Sequence, residues 1–346
     1  MVSIGAPPAR SRLLAADVLT IGFAGALGML AVAGASRVPR WPLVTLGCLG
    51  IVTFLLGVSR LRTRWGRPAD GFLHDWAFAP IAYLLYVQVQ LVVGPLHDGR
   101  TADAVLIAAD RWIFGGDPGA WLARIATRWL TEILQICYTS FYALMISVGI
   151  ELWDQAWREE RAPVSEQVPG RSPSPARARF HLYTFSCALG FIISFVGYLL
   201  VPAVGPRFTI FPFASIEREL PGLFLAGPLR GFVDAGGLAP GVHLGTGIPA
   251  AAARDVFPSG HTMMTLVAMY WACRFRLEVR RLLLIVGSLL IVGTVYLRYH
   301  YVVDVVAGAA LAAVCVALTP SFHGWIARRF ETLDVVNSHR RCVDPC

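Results

Sequence analysis

Two short strings hold residue types that could do chemistry. Phe257-Pro258-Ser259-Gly260-His261-Thr262 and Arg298-Tyr299-His300-Tyr301-Val302-Val303-Asp304 each place a histidine where a long apolar segment meets water. His300 and Asp304 are four residues apart, so on a helix they share a face and can touch. A carboxylate on one imidazole nitrogen fixes the tautomer and leaves the other nitrogen free to attack. His261 opens an apolar run. The first backbone N–H groups of a helix have no partner inside it, and with the helix dipole they form an anion site. Ser259 adds a hydroxyl, Gly260 lets an anion approach the backbone, and Pro258 costs no hydrogen bond at a helix start. Arg207, Arg298 and, as a third candidate, Arg254 can give planar, paired donors to phosphate. Such a group suits phosphoryl transfer, in which charge spreads over the phosphoryl oxygens and catalysis is mainly positioning and electrostatics. Each feature alone has a plainer reading: a capped helix start, a solvated helix-end pair, arginines that only anchor helix ends. The two strings in this order, bracketing two apolar runs, are far more specific than either one.

Meeting at one face requires the intervening chain to cross a membrane and return. The 346 residues are 56% hydrophobic and 15% charged, with a mean hydropathy of +0.59, which is more apolar and less charged than a soluble domain. The fold class expected is an all-α polytopic membrane bundle with eight apolar segments: Leu13–Ala35, Pro42–Val58, Ala77–Val93, Trp129–Leu152, Leu182–Pro202, His261–Phe275, Leu282–Leu297 and Tyr301–Leu318. A crossing takes about 20 residues. The sixth and seventh runs are short, and Arg274, Arg276, Arg280 and Arg281 can snorkel to extend them. The first run resembles a signal peptide, with Arg10 and Arg12 ahead of it and Ala33-Gly34-Ala35 at its end. Its length favours an uncleaved helix.

The organisation expected is N-terminal transmembrane helices in 1–100, an interfacial amphipathic segment in 101–128, a catalytic transmembrane core in 129–320 with an extracytoplasmic loop at 205–257, and a cytoplasmic tail in 321–346. Asp103–Arg128 carries Trp112, Trp121 and Trp129 with interleaved charges, which suits headgroup depth. Arg161–Arg179 reads as a flexible loop. In the long loop, Phe211, Phe213, Leu223, Phe224 and Leu225 are candidates to dip into the acyl region.

The net charge is +8, and every basic residue is arginine. With alternating crossings, 19 of the 30 arginines fall on the side that holds both termini. The positive-inside bias makes that side cytoplasmic and turns His261 and His300 outward. No basic recognition module points to nucleic acid. Five of the seven cysteines lie in apolar runs, Cys342 and Cys346 make a weak terminal pair, and no zinc spacing or magnesium-type carboxylate cluster is present. No metal and no cofactor are expected.

These motifs resemble the type 2 phosphatidic acid phosphatase superfamily. Within it, His300-Tyr301-Val302-Val303-Asp304-Val305 is similar to the inositol phosphorylceramide and sphingomyelin synthases. Val295-Tyr296-Leu297 also fits the superfamily, and Asp110-Arg111 and Gly115–Pro118 carry a weaker likeness. The resemblance spans roughly Leu182–Leu318. It implies a helical core, His300 as nucleophile, Asp304 as its partner and His261 as acid for the leaving group. The common phosphatases carry a Lys-x6-Arg-Pro string, where this chain has only Gly205-Pro206-Arg207. They also carry Ser-Arg where this chain has Gly293-Thr294. Both departures fit the synthase-like branch better.

The reaction expected has two steps, first onto His300 and then to water or a polyol, with a membrane lipid as donor. Water would make a phosphatase, and a polyol a headgroup transferase. A transport or structural role is the alternative of another class, because Asp17, Gln88 and Gln90 are polar residues inside apolar runs. A haloperoxidase pocket is a remote third option.

Overall fold

Inside a bilayer every backbone polar group must be satisfied within the chain, and helices do this locally. The computed structural model describes residues 13–65, 68–162, 174–236 and 252–343, and no strand occurs among them. The helices are α1 Ala15–Ala33, α2 Trp41–Trp65, α3 Pro68–Trp76, α4 Phe78–Leu96, α5 Asp103–Phe114, α6 Pro118–Ala123, α7 Arg128–Thr139, α8 Phe141–Arg161 and α9 Pro175–Leu200. Short turns follow at α10 Pro206–Thr209, the 3₁₀ segment Phe213–Ser215 and α11 Ile216–Glu219, then α12 Ala226–Gly236, α13 Gly260–Arg274, α14 Arg280–Tyr296 and α15 Val302–Val343.

Among the described residues, five stretches are long and apolar enough to cross a membrane: Ala15–Ala33, Trp41–Leu61, Gly71–Leu96, Pro175–Leu200 and Val302–Phe330. The pair α7–α8, bent by 49°, makes a sixth if it is one span. The expected eight are not reached by this measure, because α13 has 15 residues and α14 has 17. α15 runs unbroken through Pro320 to Val343. Most of the expected loop between Arg161 and Arg179, the 237–251 part of the long loop, Arg10, Arg12 and the side chains of Cys342 and Cys346 lie outside the described residues.

α9 is the central post. It packs against α1, α4, α8, α13 and α15. Without a hydrophobic force between helices in lipid, close packing of small residues does much of the work. Gly308 of α15 lies so near α13 that a Cβ there would come 2.6 Å from the Ser259 carbonyl. A polar knot ties the same three helices: Trp271 Nε1 donates to Ser186 Oγ at 2.9 Å, and Thr319 Oγ1 donates to it at 3.1 Å. Interhelical hydrogen bonds in membranes average about 0.6 kcal/mol each, so the knot adds orientation more than stability.

The start of α9 and the start of α1 lie together at the end of the bundle opposite the histidines. Leu13, Ala16, Asp75, His181 and His323 line one small cavity there. Arg177 pairs with Asp75 and with Glu160, and Asp17 meets His74 at 2.7 Å. Of Asp17, Gln88 and Gln90, the polar residues that suggested a transport path, Asp17 and Gln90 are engaged, whereas Gln88 Oε1 is buried without a hydrogen-bond partner among the described residues. Gln90 accepts the Arg254 backbone N–H at 3.0 Å, near the other end.

Candidate active site

α14 ends at Tyr296, and a tight turn over Leu297–Tyr301 delivers the chain to α15. The Thr294 carbonyl accepts the N–H groups of Tyr299 and His300, each at 3.0 Å. Arg298 takes a left-handed conformation at φ 66°, which costs an L-residue about 1–2 kcal/mol. Glycine is the usual residue at such a helix end. Here the reversal puts His300 two residues before α15, with Asp304 on its first turn.

His300 is buried. Its Nδ1 lies 3.1 Å from the Val256 carbonyl, which can only accept, so Nδ1 carries the proton. Asp304 Oδ2 lies farther off, 3.6 Å from the same nitrogen, and accepts the Tyr301 N–H at 3.0 Å. Carbonyl and carboxylate together fix one tautomer. Nε2 has no hydrogen-bond partner among the described residues and keeps its lone pair. The His261 ring, half-buried at the start of α13, lies 5.7 Å from the His300 ring between centroids. A continuous stack holds it: Phe141 and Tyr138 each sit 4.5 Å from the His261 ring, and Tyr299 sits 4.2 Å from Tyr138.

The turn is held from outside by α5. Asp103 accepts the N–H groups of Val204 at 3.0 Å and Gly205 at 2.9 Å, together with the Tyr301 hydroxyl at 2.8 Å. About two turns further on, Asp110 accepts Val302 N–H at 2.9 Å and Val303 N–H at 2.8 Å, capping α15. Burial pushes the Asp110 carboxyl above its ordinary value, against the pull of these two donors. Glu132 of α7 accepts the N–H groups of Leu223, Phe224, Leu225 and Ala226 at the start of α12. None of the three carboxylates was a sequence candidate. Asp103 and Asp110 are seven apart on a short amphipathic helix, the spacing of a shared face. That was the available signal.

Four expected phosphate ligands are used otherwise. The Ser259 hydroxyl is an N-cap: it accepts the Thr262 N–H at 3.2 Å and donates to the Thr262 hydroxyl at 3.0 Å. The space beside Gly260 holds the Tyr198 hydroxyl, which a Cβ would overlap; glycine there admits a tyrosine. Arg254 points toward the end of α4, touching the carbonyls of Ala252 and Gly99 and the flank of Gly94. Arg298 Nη2 pairs with Glu219 at 2.6 Å and its guanidinium lies 3.9 Å from the Phe211 ring centre. The Glu219 carboxyl is held below its usual value by hydrogen bonds from Ser215 and Arg298.

Arg207 comes nearest to the histidine stack. Its guanidinium carbon lies 4.6 Å from the Tyr299 ring centre and 4.9 Å from that of Phe213. Nη2 meets Asp234 at 2.6 Å, and burial raises the Asp234 carboxyl despite this cation. Arg207 is buried, and its Nε lacks a hydrogen-bond partner among the described residues. Of the aromatic and aliphatic residues expected at the acyl region, Phe224 and Leu225 are exposed, whereas Phe211 and Phe213 face the two arginines.

Fold and site define a helical membrane bundle that holds two histidines and a carboxylate at one end. Residues 172–318 match the PAP2 superfamily. A PA-phosphatase related-family protein of Dictyostelium discoideum is 24% identical over 65% of this chain. This chain covers 41% of that relative's length. No solved structure matches. α5 and α7, with Asp103, Asp110 and Glu132, lie outside the stretch that matches the superfamily.

Proposed function

We propose that the protein is a metal-independent lipid phosphotransferase that moves a headgroup phosphate through a phosphohistidine at His300. The observation that carries this is the histidine pair, with ring centroids 5.7 Å apart and the His300 proton confined to Nδ1 by Val256 and Asp304. A phosphorus atom about 3–3.5 Å from Nε2 is in a near-attack position. In the first step a bond forms from His300 Nε2 to phosphorus, the bond from phosphorus to the lipid oxygen breaks, and His261 gives that oxygen a proton. In the second step an acceptor oxygen attacks phosphorus, the N–P bond breaks, and His261 takes the acceptor's proton. Asp304 stabilises the imidazolium character that develops on His300. Arg207 meets the phosphoryl oxygens once they displace Asp234. Ser259 and Gly260 contribute by starting α13 where His261 can point at phosphorus.

The arginine distribution supports a site on the extracytoplasmic face, with both termini cytoplasmic.

A second reading, a lipid phosphate phosphatase with water as acceptor, is favoured by the likeness to the PA-phosphatase related-family protein of Dictyostelium. The absence of lysine and the engagement of Arg298 with Glu219 favour the transferase. Product analysis separates them. The purified chain in vesicles is given lipid labelled at phosphorus, with and without an added polyol. The transferase moves label to the polyol; label released as free phosphate whatever the acceptor establishes the phosphatase.

A further inference from the structure

Asp103, Asp110, Asp234, Glu219 and Asp304 each answer to a backbone N–H or a guanidinium. Asp255 has no such partner from elsewhere in the backbone: its carboxylate meets its own N–H and the Tyr86 hydroxyl, which donates to Oδ2 at 2.7 Å, and no ion pair ties it to an arginine among the described residues. The chain on either side is pinned. The Arg254 N–H goes to Gln90 and the Val256 N–H to the Ala203 carbonyl at 3.3 Å. The Val256 carbonyl is the one that orients His300. Arg254 turns toward α4's end and Val256 packs with Leu106, Ala203 and Tyr301. The half-buried Asp255 side chain goes a third way. It reaches Tyr86 and lies within electrostatic range of His300, Tyr142 and Tyr198.

A carboxylate there repels phosphoryl oxygens. Its ligand must therefore donate hydrogen, to the lone pairs that the Tyr86 hydroxyl and the residue's own N–H leave over on the carboxylate. The Tyr86 hydroxyl that donates to it can still accept a hydrogen bond. A neutral molecule with several hydroxyls matches this set. A monohydric alcohol or water uses only its attacking oxygen.

We propose that Asp255 and Tyr86 bind the acceptor, a polyhydroxy alcohol: one hydroxyl attacks the phosphorus on His300 while a neighbouring hydroxyl donates to Asp255. This rests on the transferase reading above. The bonds exchanged are those of the second step. The attacking hydroxyl forms the new P–O bond and loses its proton to His261, and the N–P bond breaks. Asp255 stays outside the bond changes and sets which acceptor is preferred.

The test is acceptor competition with the full chain in vesicles and phosphorus-labelled lipid, using inositol, glycerol, ethanol and ethanolamine as probes. Wild type should prefer inositol or glycerol over ethanol. Asp255→Asn should reduce that preference about tenfold or more, because a hydrogen bond to a charged group is lost. Tyr86→Phe, which keeps the ring, should reduce it a few-fold, and it carries the test if Asp255→Asn does not fold. Unchanged preference in the folded variants, a wild type indifferent between polyol and ethanol, or a preference for ethanolamine over both polyols would overturn the proposal. Lipid consumed with water as the only acceptor would overturn it and leave the phosphatase reading standing. No lipid consumed by wild type would sink both.

Discussion

Asp110→Asn tests whether α5 sets the site from outside it. The carboxylate accepts two backbone N–H groups, at 2.9 and 2.8 Å, at the first turn of the helix that carries Asp304. Asparagine keeps one acceptor oxygen, and its amide N–H faces the other donor. One charge-assisted hydrogen bond is lost, worth about 1.5–3 kcal/mol. Asp110 is buried, so water does not replace the lost acceptor. If the whole loss falls on holding Val302 and Val303 in place, turnover drops by roughly 10- to 150-fold, at about 1.4 kcal/mol per factor of ten. The lipid's KM should change far less, because Asp110 touches no substrate. The assay is lipid turnover in vesicles, with thermal unfolding in detergent as the folding control. Arg111→Ala is the internal control: that side chain is exposed and pairs with Asp117, so removing it should leave turnover close to wild type. Full turnover in Asp110→Asn, or equal losses in both variants, would refute the reasoning.

Three further outcomes are expected. Gly308→Ala puts a Cβ 2.6 Å from the Ser259 carbonyl; forcing α13 and α15 apart should cost about 1–3 kcal/mol and depress turnover more than it lowers Tm, and an active variant of wild-type Tm would speak against tight packing there. Glu132→Ala leaves the four N–H groups at the start of α12 without their carboxylate. Limited proteolysis should then cut 220–236 faster than in wild type, and an unchanged cleavage rate would show that the cap is dispensable. Burial raises the Asp255 carboxyl above its usual 3.8, so its contribution to stability is fully present below about pH 4 and is lost as pH rises through the folded value. The Tm of Asp255→Asn should therefore gain on wild type from pH 4 to pH 8, and a constant gap would contradict the buried charge.

The histidine pair was legible because its signals are local. A proline-serine-glycine start and an i, i+4 histidine–aspartate spacing both report on helix ends, and two apolar runs between them return the chain to one face. The bundle was legible from hydropathy for the same reason, although α13 and α14 are shorter than a full crossing. The phosphate donors were not. Whether Arg207 and Arg298 face phosphate or Asp234 and Glu219 depends on how a loop of turns folds back, and residue type carries no record of that. Ser259 and Gly260 have motif positions that suit an anion equally well and serve as a cap and as room for Tyr198. The second imidazole partner was also hidden, since the Val256 carbonyl belongs to the backbone and any residue supplies one. Asp103 and Asp110 announced a shared helix face without naming the loops they hold.

The central claim is that His300 carries phosphate during turnover. The direct measurement is mass spectrometry of enzyme quenched at neutral to alkaline pH during reaction with lipid labelled at phosphorus. The account predicts the label on His300, absent from His300→Ala and persisting longer in His261→Ala, where no base assists the second step. Label on another residue, or lipid turnover undiminished in His300→Ala, would contradict it.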